Sequence, residues 1–146
     1  MIKAIGKFKK LDLTVNETPL TTLVEDKMAF ELGGKTFTIT RKGFFGPVSE
    51  LWLDKTLVAS AKQAVLVNSY TVTQAGYAWQ FKAINLMGTK FGLFREEQQV
   101  GTISRVKIGL DVDSIIDLPD ELPTEVQVFL MWIVLWKWIG DASSSS

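Results

Sequence analysis

The 146-residue sequence contains no histidine and no cysteine. These two residues supply the usual zinc and transition-metal ligands and many of the general bases and nucleophiles. Zinc sites, Cys–His and Ser–His–Asp catalysis, iron–sulfur clusters and disulfides are therefore excluded. Net charge is lacking too: 16 Lys and Arg balance 16 Asp and Glu, which leaves no global field to draw the chain onto nucleic acid. The start, Met1-Ile2-Lys3-Ala4-Ile5-Gly6-Lys7, has no apolar stretch of the secretory kind, and the absent cysteines fit a reducing compartment, so a cytoplasmic setting is expected. No Gly-x-Ser-x-Gly, P-loop or dinucleotide fingerprint occurs. Catalysis by paired carboxylates would depend on a proximity that no spacing reveals. The composition points away from an enzyme and implies no cofactor.

What is present is period-two alternation. In Lys35-Thr36-Phe37-Thr38-Ile39-Thr40-Arg41 and Tyr77-Ala78-Trp79-Gln80-Phe81-Lys82-Ala83, large side chains fall on every second position, the pattern of a strand with one buried face. Less regular runs lie near residues 3–14, 20–25, 27–32, 49–54, 57–62, 68–74, 90–95 and 99–107. Turn signals such as Gly33-Gly34, Gly46-Pro47, Asp54-Lys55, Gly76 and Glu96-Glu97 separate them. Without long amphipathic helices between the strands to form parallel crossovers, antiparallel meanders in a barrel or sandwich are expected. The stretches 51–62 and 92–105 share an outline: an apolar strand, a charged turn, then Val and a small residue, and a cation at the end. Chance and internal duplication account for this equally well.

The pattern then changes. An acidic connector with two prolines, residues 111–123, leads into TEVQVFLMWIVLWKWI over Thr124–Ile139, with Pro123 suited to the first turn and Gly140 to the stop. Apolar residues cover every face of this helix, so something must enclose it, either a bilayer or the interior of a closed sheet. About a dozen apolar residues before Lys137 fall short of the roughly 20 of a membrane span and favour a buried core helix. Trp132, Trp136 and Trp138 would form an interfacial belt in the first case. In the second they would fill the wide mouth of a barrel, where an indole N–H can reach a carbonyl. The predicted fold is mainly β (α+β): one domain over residues 1–142, a closed antiparallel β-barrel of about 10–12 strands wrapped around a hydrophobic C-terminal helix at about 123–139. A serine tail, 143–146, is expected to be disordered.

Three segments carry a family resemblance: ELWLDKTLVASAKQ, then YAWQFKAINLMGTKFGLFREEQQVGTISR, and DVDSIIDLPDELPTEVQVFLMWIVLWKWI. In order and spacing they resemble the superfamily of the tubby C-terminal domain, the LURP-one-related proteins and the phospholipid scramblases. That resemblance implies an antiparallel barrel around a buried C-terminal helix, and a non-enzymatic module for a phosphoinositide or another anionic ligand. The chain is shorter than is usual there, and the cationic pair that holds the headgroup in tubby domains has no secure match.

Candidate sites follow from charge. Lys7, Lys9 and Lys10, with Arg41 and Lys42 elsewhere, are candidate ligand-binding residues for a phosphorylated headgroup or anionic membrane surface. Lys7 and Lys9 are expected to share a strand face, and a Lys-rich protective sheet edge is the competing account. Asp111, Asp113 and Asp117 invite a calcium reading, although an EF-hand register puts Ile116 and Leu122 where Gly and Glu belong. Asp111 and Asp113 on a solvated edge strand, with Asp120 and Glu121 at the helix N-terminus, is the structural alternative. Gly43-Phe44-Phe45-Gly46-Pro47 is either a membrane-dipping tip or packing over the barrel end. The partners implied are an anionic membrane surface, met peripherally, or a protein. The alternative function is a membrane-associated protein whose helix inserts in a bilayer or packs on a partner.

Overall fold

The computed structural model describes residues 1–43, 46–64, 68–107, 109 and 111–144. Twelve strands precede one helix. They are β1 (Ile2–Lys7), β2 (Lys10–Val15), β3 (Thr18–Val24), β4 (Ala29–Leu32), β5 (Lys35–Lys42), β6 (Val48–Leu53), β7 (Thr56–Gln63), β8 (Ser69–Gln74), β9 (Tyr77–Ala83), β10 (Lys90–Arg95), β11 (Gln98–Arg105) and β12 (Ser114–Asp117), followed by α1 (Thr124–Ser144). The expected run 3–14 is a hairpin, broken at Phe8-Lys9; Ala4 and Leu11, seven residues apart, could not both face inward on one continuous strand. The acidic connector contributes the twelfth strand.

All neighbours pair antiparallel in one sheet of order β3-β2-β1-β12-β11-β10-β9-β8-β7-β6-β5-β4. Residues 25–28 join β3 to β4, the two edges of that sheet. So short a link between opposite edges requires the sheet to curl until they meet, and the result is a nearly closed barrel. Alternation fills it from within. Phe37 and Ile39 of β5 and Trp79 and Phe81 of β9 are all buried, while the residues between them in β5 and β9 face outward.

Helix α1 occupies the interior. Val126, Val128, Phe129, Leu130, Met131 and Val134 have no exposure at all. The all-round apolar surface is thus met by the inner face of the sheet; twelve strands leave a lumen wide enough for a helix, where eight would be filled by side chains. Among the described residues no helix is long and apolar enough to cross a membrane. Pro123 O accepts the N–H groups of Val126 and Gln127, and Gln127 Nε2 donates to Leu122 O at 2.8 Å, fixing the entry of the helix. The helix runs past the expected stop at Gly140 to Ser144, held by the Lys137–Asp141 pair at 2.9 Å. The first two serines of the expected tail are therefore helical, and Ser145 and Ser146 lie outside the described residues.

The two ends of the barrel differ. At one end, residues 16–17, 33–34, 54–55, 75–76 and 96–97 are two-residue turns, and Asn16, Glu17, Glu96 and Glu97 take the left-handed φ that such turns demand. At the other end the connections lengthen to as much as the eight residues 106–113. The helix enters from the turn end and finishes at the loop end.

Candidate ligand site at the loop end of the barrel

Strand alternation dictates which side chains line the mouth. The register that turns Phe37 and Ile39 inward also turns Arg41 inward, two residues on, at the last layer before the rim. Ser49 is the direct cross-strand partner of Arg41, and Tyr70 that of Gln63. Arg41, Ser49, Gln63 and Tyr70 thus form a polar layer above the apolar core. With Trp136 and Lys137 of α1 they line a cavity of about 470 Å³.

The cavity brings together hydrogen-bond donors and one carboxylate, Asp141, which pairs with Lys137 at 2.9 Å. The Arg41 guanidinium lies 5.2 Å from the Trp136 ring centroid, within cation–π range. Among the described residues Arg41 forms no ion pair. Tyr70 is 6% exposed and Ser49 7%. Burial pushes the Tyr70 phenol up from its ordinary value, with Arg41 opposing and Asp141 adding to the shift, so at neutral pH it keeps its proton to donate. Trp132 and Trp136 pack 5.2 Å apart beneath, and the Trp136 indole N–H is buried without a hydrogen-bond partner among the described residues. Trp138 Nε1 donates to Gly88 O at 2.7 Å, so the tryptophans fill the barrel mouth as the second account of them required.

The remaining candidates are divided among different faces. Lys42 points outward, 74% exposed, and pairs with Glu50 at 3.5 Å. Lys7 and Lys10 are cross-strand partners on the outer face, and Lys9 sits in the turn between them. The expectation that Lys7 and Lys9 share a strand face is thereby corrected: the chain reverses between them. The protective-edge account fails as well, because the sheet edges are β3 and β4 while β1 and β2 are paired internally. Strands β3 and β4, the two unpaired edges of the sheet, lie between Lys10 on β2 and Arg41 on β5. All five cations are at the loop end, but they do not form one pocket.

The acidic candidates are not brought together. Asp113 Oδ1 accepts the Gly6 N–H at 3.0 Å and Oδ2 meets Lys107 Nζ at 3.1 Å. The Gly6 hydrogen bond, with Lys107 adding, holds its carboxyl below the ordinary value against the opposing effect of burial. Asp111 bridges Lys7 through the backbone. Asp117 lies at the far end of β12, roughly 13 Å from Asp113 at 3.3 Å per residue. Among the described residues no three acidic groups are placed to hold a metal ion. Nor is β12 an edge strand, since β1 and β11 flank it.

Two further features organise this end. Arg105 donates to the carbonyls of Lys107, Gly109 and Asp111 and packs between Phe8 and Trp138, clasping the long connection from β11 to β12. In the 84–89 loop, Asn85 Oδ1 accepts from the Thr89 and Lys90 backbone and braces the turn. The braced loop displays Leu86, fully exposed, and Met87, 82% exposed. The Phe44-Phe45 tip lies outside the described residues. Sequence reasoning found Arg41 but missed Ser49, Gln63 and Tyr70. Their signal was the strand register, which extends inward from Leu51, Ala61 and Val72.

Charge is segregated along the barrel axis. Of the 16 Lys and Arg, four (Lys3, Lys35, Lys55 and Arg95) sit in the turn-end half and the other twelve in the loop-end half. Nine of the 16 Asp and Glu, among them Glu17, Glu96, Glu97, Asp117, Asp120 and Glu121, sit in the turn-end half, against seven in the other. A chain of zero net charge is thus a basic end joined to an acidic end. Compared with known protein families, curated proteins and solved structures, the chain matches none.

Proposed function

We propose that the protein is a non-enzymatic binding module that presents its loop end to an anionic surface, with a phosphorylated lipid headgroup as the leading ligand. The observation that carries this reading is the gathering of twelve of the 16 cations at one end of a neutral molecule. Lys7, Lys9 and Lys10 then act as an outer belt, each contributing about 1 kcal/mol near an anionic bilayer. Leu86 and Met87 supply an apolar tip of the kind that enters the headgroup region. The resemblance to the tubby, LURP-one-related and scramblase superfamily agrees with a barrel around a buried helix and belongs to the same reading, as does a cytoplasmic protein peripheral to the membrane.

The test is co-sedimentation of the intact protein with neutral, phosphatidylserine and phosphoinositide vesicles at low and high salt. Binding to the anionic vesicles that weakens with salt is expected. Replacing Lys7, Lys9 and Lys10 together by Glu should lower it roughly a hundredfold. Anionic-vesicle binding that the triple variant leaves unchanged would remove the reading.

A further inference from the structure

The mouth cavity offers more than a diffuse positive surface does. Asp141 also lines it, but Lys137 pairs with that carboxylate at 2.9 Å, and among the described residues Arg41 forms no ion pair. Around that guanidinium stand two hydroxyl-bearing side chains more than nine-tenths buried, Tyr70 and Ser49, together with the Gln63 amide. Buried polar side chains lining an open cavity, beside a cation that forms no ion pair among the described residues, make the outline of a receptor. A guanidinium presents a planar fork of N–H groups that suits paired oxygens, and the hydroxyls extend the donor set out of that plane. The group that uses such donors in three dimensions is tetrahedral, with several terminal oxygens. At about 470 Å³ the cavity is larger than a phosphate alone, and Pro47, Ile133 and Trp136 give the remaining space an apolar wall.

The geometry points to a phosphate monoester as the ligand of this cavity, its phosphate on Arg41, Tyr70 and Ser49 and its carrier against the Trp136 side. This assignment rests on the anionic-ligand reading above and makes it specific: the lysine belt attracts, and the cavity recognises. The monoester reaches the cavity either as a soluble small molecule or as the headgroup of a lipid such as phosphatidic acid, and the two sources share the same chemistry.

The experiment titrates the full chain calorimetrically with phenyl phosphate and, separately, with vesicles of phosphatidylcholine containing phosphatidic acid. Phosphatidylserine vesicles, whose phosphate is a diester, are the comparison. Saturable binding to phenyl phosphate, weakened at least tenfold by Arg41→Gln and about threefold by Tyr70→Phe, supports a soluble ligand. Binding confined to phosphatidic acid vesicles and lost in the same variants supports the lipid source. Arg41→Lys, which keeps the charge without the fork, should retain only part of the affinity. Binding to neither probe overturns the assignment, as does binding that Arg41→Gln leaves unchanged. The lysine-belt variant separates the two readings. If it abolishes phosphatidylserine binding while Arg41→Gln has no effect on either monoester, the cavity assignment fails alone. If the belt variant has no effect while Arg41→Gln releases phenyl phosphate, the surface reading fails alone.

Discussion

Asp113 joins the first strand to the connection between β11 and β12, and its protonation state sets how firmly it does so. Its carboxylate accepts from the Gly6 backbone and meets Lys107, so its pKa is lower in the folded chain than in the unfolded one. A depressed carboxyl pKa stabilises the fold above the ordinary carboxylate value, and that contribution disappears as pH falls through the folded value. Wild type should therefore have a higher urea midpoint than Asp113→Asn at pH 7, with the difference vanishing in acid; a difference independent of pH would contradict the assignment. Gly6 itself tolerates no side chain: its φ is +144° and a Cβ would come 2.4 Å from Lys10 O. Gly101 is constrained by space, since a Cβ would lie 2.8 Å from Asp117 O and 3.1 Å from the Leu118 Cα. Gly101→Ala should cost about 1–3 kcal/mol in urea denaturation, because the nearest obstacles are backbone. None of these constraints shows in the sequence, where both residues read as ordinary glycines in strands.

At the scale of elements, one hairpin design appears three times. Pairing slips by one residue after Leu13, after Leu51 and after Leu93, and each time the turn begins three residues beyond that leucine. The extra residue on the return strand is Leu20, Val58 or Val100, half-buried against the core. The next residue, Thr21, Ala59 or Gly101, lies opposite the buried leucine. The shared outline of 51–62 and 92–105 therefore has a physical meaning: the Val is a β-bulge that brings an additional apolar side chain to the interior. Residues 13–24 follow the same plan with too little sequence likeness to be noticed. In the third copy the turn is Glu96-Glu97, at φ 49° and 70°. Left-handed conformations cost an L-residue about 1–2 kcal/mol, so Glu97→Gly should raise stability by about 1 kcal/mol, measured as a higher urea midpoint. The helix was the most legible element because its apolar residues leave no polar face. Phe129→Ala, at a position with no exposure, should cost about 3–5 kcal/mol.

For the whole molecule, composition hid what topology shows. Equal numbers of acids and bases read as an absence of electrostatic character, because a count carries no positions. Only the strand directions, alternating through twelve strands, sort the cations to one end. A protein of zero net charge should for this reason be retained on a cation exchanger at pH 7, and the lysine-belt variant should elute earlier. Equal elution of the two would argue against a functional basic end. The barrel and its enclosed helix were readable from periodicity and from the all-round apolar segment. The mouth cavity was not, since its lining comes from β5, β6, β7, β8 and α1, whose adjacency is a property of the closed sheet.

The helix that fills the barrel comes after every strand in chain order. On a ribosome the twelve strands therefore emerge before anything exists for their apolar faces to cover, and a sheet without its filler cannot settle into the final curvature. The barrel cannot be filled until residues 124–144 have been made. Until then Phe30, Phe37, Trp79, Phe81 and Phe91 line a surface open to other nascent chains, and a synthesis pause ahead of residue 124 would prolong that exposure without changing a single contact of the finished protein.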